Sequence, residues 1–544
     1  MSSFKHYILI LAISALPFVT VFLNPNLPHT SDGGVHLPRI AAYVKALQDG
    51  HFPVRWAGDL NYGYGLPLFN FMYPAPYFIG ALFVLSGLEL VVSFKLVLLL
   101  SFLLSGIFMY IFALELFEDE RVAMLLTVFY QFAPFRLVEL LVRGSIGSVY
   151  AYAFLPLVLY GVTHMHKKPV VSSGILLSIA TGLLVISHNS LSLVFFLVAC
   201  VYAASLTKFK KPFISVCIAL FLGLALAAFY WVPALAEHSY TYGDLFMRNL
   251  YKGYFPPLIN FFIPNFTDIA RLRVGEVSVQ LGLFHTIALI LTCIVLVRGL
   301  VNHQLTKLLL ILSVILTSVT LFIMQPVSLF LWERISLLRQ FQFPWRFLGI
   351  TTLTTSIMAL SFISFGILKN KFLYVALLVL TVASTAYYWY PPQGFDKVRE
   401  ADFWNYPLNT TYFGETDLIW SAGPAKGFPK NRIEVIEGIA TVSNFTKKTQ
   451  IHSFNVTAER SAKLVDNTQY YPGWRVYVDS QKVPIQFQDA NYRGLITFDV
   501  PAGTHAVRAV FEESPIRLGS DLLTAVTAPL LLGLILWYGK KRLI

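Results

Sequence analysis

Residues 93–114 read Ser93-Phe-Lys-Leu-Val-Leu-Leu-Leu-Ser-Phe-Leu-Leu-Ser-Gly-Ile-Phe-Met-Tyr-Ile-Phe-Ala-Leu114, an apolar run with one charged side chain, Lys95. A helix needs about 20 such residues to cross the hydrocarbon core of a bilayer, and this stretch supplies them in one piece. Comparable runs recur at 7–23, 122–135, 149–163, 170–187, 190–206, 212–233, 281–298, 306–324, 346–368, 371–390 and 521–538, with a shorter one at 75–88. Composition agrees: of 544 residues 56% are hydrophobic, 15% aromatic and only 13% charged, with a mean hydropathy of +0.64. An ordinary soluble domain carries about 25% charged residues, so a soluble fold of this length could not clothe its surface. Continuous apolar segments also exclude disorder. The expected class is a polytopic α-helical membrane protein.

Basic clusters set the expected topology, because Lys and Arg accumulate in cytoplasmic loops. They are Lys5, His164-Met-His166-Lys167-Lys168, Lys208 to Lys211, Arg298 with Lys307, Lys369 with Lys371, and Lys540-Lys541-Arg542. Both termini then lie inside and the number of crossings is even. The weakest run, 75–88, is short, begins among Pro74 and Pro76 and has no basic flank, so it is expected to dip into the membrane from outside. That leaves about twelve spans. The run 7–23 has the look of a signal peptide, but Leu23-Asn24-Pro25-Asn26 offers no small-residue cleavage site, and it reads as an anchor. The excess of 41 Lys+Arg over 29 Asp+Glu is read as topology rather than as a nucleic-acid footprint.

The chain divides into a transmembrane region, 1–390, with a long first outer loop at 24–92 and further outer segments at 136–148, 234–280 and 325–345. An extracytoplasmic β-rich domain follows at 391–518, then a final helix and basic cytoplasmic tail at 519–544. In the β-rich domain Arg475-Val-Tyr-Val-Asp479 and Gly494-Leu-Ile-Thr-Phe-Asp-Val500 alternate, and Asp479-Ser480-Gln481-Lys482 reads as a hairpin turn; a small β-sandwich is expected. Cys200, Cys217 and Cys293 lie in apolar runs with no disulfide or zinc spacing. There is no Walker A loop, dinucleotide-binding glycine fingerprint, nucleophile elbow or HExxH, so soluble-nucleotide chemistry is not expected.

The first loop carries His29-Thr-Ser-Asp32-Gly-Gly-Val-His36-Leu-Pro-Arg39 and Gly50-His-Phe-Pro-Val-Arg55-Trp56. His36, Arg39 and Arg55 around one interfacial carboxylate, Asp32, suit an anionic lipid-linked substrate. The competing reading makes Ser31 or Asp32 the cap of a helix carrying Ile40 to Leu47. The second loop holds Arg136, Glu139, Arg143 and Ser148. If it is helical, the first three share a face, either as functional groups or as a structural Arg–Glu–Arg cluster. His188 sits in Ser187-His-Asn-Ser190, as a turn residue or a ligand; Glu237 follows Tyr230-Trp-Val-Pro233. Arg346 ends Phe341-Gln-Phe-Pro344-Trp345-Arg346, where an interfacial snorkelling arginine is the ordinary alternative. Glycosylation sequons stand at Asn265, Asn409, Asn444 and Asn455.

Several strings together resemble a known family. They are Asp32…His36…Arg39…Gly50-x-x-Pro53-x-Arg55-Trp56…Gly63-Tyr-Gly65-x-Pro67, Ala133-Pro-Phe-Arg136-Leu-Val-Glu139-Leu-Leu-Val-Arg143-Gly144, Trp231-Val-Pro233-Ala-Leu-Ala-Glu237 and Phe343-Pro-Trp-Arg346. The chain resembles the bacterial and archaeal membrane proteins labelled "6-pyruvoyl-tetrahydropterin synthase related". The label is a misnomer, since the pterin enzyme is soluble and uses a three-His zinc site that this chain lacks. These proteins are similar to the GT-C superfamily of polyprenyl-phosphate-sugar glycosyltransferases. The tail from Tyr471-Pro-Gly-Trp474 through Asp479 to Pro501-Ala-Gly503-Thr-His505 resembles the extracytoplasmic β-domain of related cell-envelope enzymes.

The resemblance implies a GT-C-like fold in which Asp32 matches the catalytic first-loop acid and Glu139 an acidic position of the second loop. It implies sugar transfer, with inversion, from a polyprenyl-phosphate donor to an envelope glycan, lipid or protein acceptor at the outer face of the cell membrane. Asp32 is the expected general base, and Arg143 and Arg346 are expected to hold the departing phosphate. Glu139 is expected to orient the acceptor or join a divalent metal. His36, Arg39, Arg55, Arg136, His188 and Glu237 complete the expected substrate-binding set. The chain departs from the family at Ser148, where relatives carry Glu after Arg-Gly-x-x-Gly. That departure takes an acid from any metal site and is what a rival reading, an inactive envelope scaffold, rests on. A lipid-linked-sugar transporter is the other rival; it calls for ionisable groups at helix midpoints and an inverted repeat, which the sequence does not show.

Overall fold

The computed structural model describes residues 2–263, 278–404, 406 and 416–541, so the sequons at Asn265 and Asn409, and Arg542 of the basic tail, lie outside the described residues. Among the described residues, eight helices are long and apolar enough to cross a membrane. They are Phe4–Leu23, Leu90–Phe117, Ile146–Lys167, Asn189–Thr207, Gln304–Ile323, Pro344–Ser364, Lys371–Tyr388 and Pro515–Trp537. Two bent pairs raise the number to as many as ten: Glu120–Gln131 with Pro134–Val142, bent by 53°, and Pro212–Leu226 with Ala228–Ala236, bent by 72°.

Both breaks fall where the sequence reading expects straight spans. At the first, Pro134 has no N–H to give and forces Ala133 into an extended conformation, so the helix stops and restarts. At the second, the helix breaks at Ala227, and the Trp231 indole N–H takes the Leu224 carbonyl near the break. The helices Val171–Val185 and Leu283–Val297, of 15 residues each, stand where spans 170–187 and 281–298 are expected, shorter than the about 20 residues of a full crossing. The weak run at 75–88 forms a 12-residue helix, Pro74–Leu85.

Small residues let these helices approach. A Cβ on Gly223 would stand 2.4 Å from the Thr181 Cβ and 2.7 Å from the Ser178 carbonyl oxygen, so only glycine permits this contact between neighbouring helices. Strand β1 (Leu27–Pro28) pairs antiparallel with β2 (Phe395–Asp396), tying the start of the first long loop to the end of the helical region.

The chain then forms β3 (Ile433–Glu437), β4 (Ala440–Lys448), β5 (Ile451–Ala458), β6 (Ala462–Gln469), β7 (Trp474–Val478), β8 (Gln481–Val483), β9 (Leu495–Val500) and β10 (Gly503–Phe511). They make a five-stranded sheet, β4-β5-β10-β7-β8, and a three-stranded sheet, β3-β6-β9. One core serves both: Val456, Trp474, Val476 and Val507 from the first sheet pack with Leu464, Ile496 and Phe498 from the second. The turn Asp479-Ser480 has positive φ at both positions, 49° and 66°, the two-residue geometry that suits the twist of a hairpin. Its second strand is β8, not the expected stretch 494–500. Pro484 ends β8 after three residues, and β9 joins the other sheet.

The final helix is locked to the rest by buried ion pairs. The Arg517 Nε lies 3.0 Å from Glu237, and the same carboxylate accepts from the Tyr471 hydroxyl at 2.7 Å and the Asn70 amide at 2.8 Å. Arg55 donates to Glu513 at 3.0 Å and to Asp521 at 2.6 Å. Asp49 accepts from the Thr449 hydroxyl at 2.6 Å, fastening the first long loop to the β4–β5 hairpin.

Candidate functional site

The site begins at the helix Gly33–Gln48. Asp32 occupies its N-cap position, but its side chain caps no helix N–H; Thr30 Oγ1 accepts from the Gly33 amide instead, at 3.1 Å. The capping reading of Asp32 therefore fails. Its carboxylate accepts from Arg143 Nη2 at 3.1 Å. Backbone bonds hold the two loops in register: Ser31 N–H to the Val142 carbonyl at 3.1 Å and Asp32 N–H to the Arg143 carbonyl at 2.8 Å. Gly144 makes this approach possible. It sits at φ +66°, and a Cβ there would stand 2.4 Å from Thr30 Oγ1.

Residues 138–142 form a π-helical turn, which brings Glu139 under Arg143. Arg143 Nη1 donates to both Glu139 oxygens, at 2.7 and 3.0 Å, and the guanidinium lies over the Trp345 ring at 4.9 Å. Arg346 lies over Phe343 and donates to Ser190 Oγ at 3.0 Å. His188 caps the helix Asn189–Thr207, its Nδ1 accepting from the Leu191 amide, and its ring stacks on Tyr73 at 5.2 Å and 15°. His36 Nδ1 lies 2.9 Å from the Tyr77 hydroxyl, which Arg39 also reaches.

Asp32, His36, Arg39, Arg143, His188 and Arg346 line one cavity of about 680 Å³. The rest of its wall is largely apolar, with Phe71, Met72, Leu193, Phe196, Leu224 and Leu235. Burial, Arg39 and Arg143 hold His36 well below the ordinary imidazole range; burial, Arg346 and Arg143 do the same to His188 in its turn between helices. Both rings are neutral near pH 7. Among the described residues, three guanidiniums (Arg39, Arg143, Arg346) and two carboxylates (Asp32, Glu139) stand at the charged end. Guanidiniums gathered in this way suit an anionic ligand.

Three expected site residues lie elsewhere. Arg55 and Glu237 are engaged in the ion pairs that fasten the final helix. Arg136 is buried inside the bundle, caged by the rings of Phe102, Tyr130 and Tyr152 and donating to Ser105 at 2.7 Å. The expected shared face of Arg136, Glu139 and Arg143 does not form, because the π-turn pairs Glu139 with Arg143 and leaves Arg136 on the preceding turn facing inward. Sequence reasoning missed Tyr73, Tyr77, Ser190 and Trp345. The Tyr73/Tyr77 spacing of four residues, at the start of an apolar helix, was the available signal for the first two.

Among the described residues, no group of three or more His, Cys, Asp or Glu side chains is placed to hold a metal ion. The two acids of the site share a guanidinium, and Ser148, at the position where the family acid is expected, bonds Ser145 at 3.0 Å. These residues do not fit an acid-bound divalent cation, nor the three-histidine zinc of the pterin enzyme.

Residues 69–391 match the family described as "6-pyruvoyl-tetrahydropterin synthase related domain; membrane protein". No curated protein matches the chain. Two cryo-EM structures of the arabinofuranosyltransferase AftD from Mycobacteria are similar to it. A mutant form is 16% identical with a TM-score of 0.44, covering 70% of this chain and 27% of its own; the other is 14% identical with a TM-score of 0.41, covering 70% and 26%. The chain thus spans about a quarter of the length of those proteins.

Proposed function

The chain belongs to the membrane-protein family described as 6-pyruvoyl-tetrahydropterin synthase related, and from that premise we propose that it is a GT-C-like glycosyltransferase moving a sugar from a polyprenyl-phosphate donor to a cell-envelope acceptor. One observation carries the reading. A single cavity has an arginine-rich polar end and an apolar wall, the complement of a donor with an anionic sugar-phosphate head and a hydrocarbon tail.

In this reading Asp32 takes the proton from an acceptor hydroxyl as its oxygen attacks the anomeric carbon. The carbon–oxygen bond to phosphate breaks, and polyprenyl phosphate leaves with the bonding electrons; one displacement inverts the anomeric centre. Arg143 and Arg346 bind the phosphate and stabilise the charge that grows on it. Glu139 grips Arg143 from below, so the guanidinium is aimed before the donor arrives. Arg39, His36 and His188 contact the head group. No step uses a metal.

The proposed topology counts the ten helices and bent pairs together with the two 15-residue helices, giving about twelve crossings in the cell membrane with both termini cytoplasmic. The proposed division is a transmembrane region at 1–390, an extracytoplasmic β-rich domain at 391–518 that meets the acceptor, and a terminal helix and tail at 519–544. The test is reconstitution into proteoliposomes with a panel of radiolabelled polyprenyl-phosphate sugars and envelope glycans. Sugar transfer, or slow donor hydrolysis, supports the reading. Tight donor binding without turnover across the panel overturns it in favour of the scaffold or transport alternatives.

A further inference from the structure

Two neutral imidazoles at the polar end of the cavity can each be assigned a proton position from hydrogen-bond counting. His188 is the simpler of the two. Its Nδ1 accepts from the Leu191 amide, so that nitrogen carries a lone pair and the proton of the neutral ring is on Nε2.

The proton of His36 is placed by its neighbours. Arg39 has only donors, so where it reaches the Tyr77 oxygen it gives a proton to it. The Tyr77 hydrogen then goes to His36 Nδ1 at 2.9 Å, the short contact, with the Tyr73 hydroxyl its other neighbour. If His36 instead carried its proton on Nδ1, the His36 Nε2 lone pair would be left unmatched and the Tyr77 O–H would have to give up its 2.9 Å contact for the Tyr73 hydroxyl. With Tyr77 donating, the one unmatched group is the Nε2–H, and His36 Nε2 is a buried atom with no hydrogen-bond partner. An unsatisfied buried donor costs about 1–3 kcal/mol, so the second arrangement prevails.

We propose that His36 and His188 are a matched pair of uncharged Nε2–H donors, fixed in one tautomer by Tyr77 and by the Leu191 amide, that grip unprotonated oxygens of the substrate's phosphate or sugar. Tyr77 is the positioning residue that keeps His36 in this state. The stack Tyr77–Tyr73–His188, with ring centroids 5.7 and 5.2 Å apart, fixes the two donors relative to each other. A neutral donor pair adds hydrogen bonds to an anionic head group without adding charge beside Arg143 and Arg346, so the leaving phosphate is not held more tightly than release allows. The identity of the bound oxygens rests on the transferase reading; the tautomers do not.

The test is ¹⁵N-histidine NMR of the full chain in lipid nanodiscs, with the two rings assigned from His36→Gln and His188→Gln. Both are expected as Nε2–H, Nδ1-bare imidazoles near pH 7, and adding a polyprenyl-phosphate sugar is expected to move both Nε2 resonances. Tyr77→Phe should turn His36 into a tautomer mixture, leave His188 unchanged and lower kcat/KM about tenfold, the loss of one hydrogen bond of ordinary strength. A proton on Nδ1 of either ring in the unsubstituted protein overturns the proposal, as does a saturating donor that moves neither Nε2 signal. Correct tautomers and donor-induced shifts without sugar transfer overturn the transferase reading and leave the donor pair standing.

Discussion

Arg143 reaches Asp32 at 3.1 Å across 111 residues of sequence, and it does so with one N–H while its other terminal nitrogen is spent on both oxygens of Glu139. The asymmetry matters chemically. Glu139 meets the guanidinium with both oxygens and positions it, whereas Arg143 meets Asp32 through Oδ2 alone.

Arg143→Lys keeps the charge but cannot serve two carboxylates through a fixed fork or lie flat on Trp345. Sugar transfer should fall by about a hundredfold or more, while donor binding weakens less. Full activity in Arg143→Lys, measured as kcat and KM for the donor, would mean that a point charge suffices.

Gly144→Ala attacks the seam between the two loops. Its positive φ opposes the substitution, and so does the Thr30 hydroxyl, 2.4 Å from where the alanine methyl would stand. A loss of about 1–3 kcal/mol in stability is expected, with activity falling further than stability because Asp32 and Arg143 are drawn apart. Thermal unfolding in detergent and transfer assays, run side by side, check the two effects.

Glu237→Gln should behave differently. It removes the charge that neutralises Arg517 at 0% and 2% side-chain exposure, which costs about 3–5 kcal/mol for a broken buried pair. The expected phenotype is a lower Tm and faster proteolysis around residues 416–515, with donor affinity nearly preserved. A selective loss of donor affinity at unchanged Tm would return Glu237 to the substrate site.

The pH dependence of stability follows from two buried histidines of the first loop. Burial and nearby arginines hold His36 well below the usual value, and burial with Arg55 and Arg517 holds His51 at about 4. Below pH 6.5 the unfolded chain takes up protons at both sites before the folded one does, so stability falls as pH drops from about 6.5 toward 4. Half-buried Asp59 is pushed up by burial, but Lys447 and Lys45 outweigh this and hold it at about 2, so its contribution is lost later, between 3.8 and about 2. Detergent-phase Tm against pH should show a decline in the first window that His51→Gln makes shallower.

Much of this is legible in the chain, and the rest is hidden for identifiable reasons. Charge scarcity and runs such as 93–114 suffice for the membrane class, and the alternation in 475–479 with Asp479-Ser480 suffices for a hairpin. Asp32, Arg143 and Arg346 stand out as costly ionisable groups, but the meeting of Asp32 with Arg143 is a non-local contact that no local pattern encodes. Arg55 looks like a site residue because it shares the first loop with Asp32, His36 and Arg39, and Glu237 because it follows Tyr230-Trp-Val-Pro233. Their true partners, Asp521 and Arg517, lie in the first turns of the last helix, which begins at Pro515, inside the stretch read as the β-rich domain, so that Arg517 falls in that domain and Asp521 at the start of the expected span. The runs 122–135 and 212–233 read as straight spans because hydropathy is blind to the backbone breaks before Pro134 and at Ala227.

The most direct test of the central claim is Asp32→Asn in proteoliposomes, with donor binding and sugar transfer measured on the same preparation. A polyprenyl-phosphate sugar should still bind within a few-fold of the unsubstituted protein, because Arg143 and Arg346 remain, while transfer falls by about 10²–10⁴-fold for want of the base. Near-normal transfer by the folded variant would contradict Asp32 as the general base.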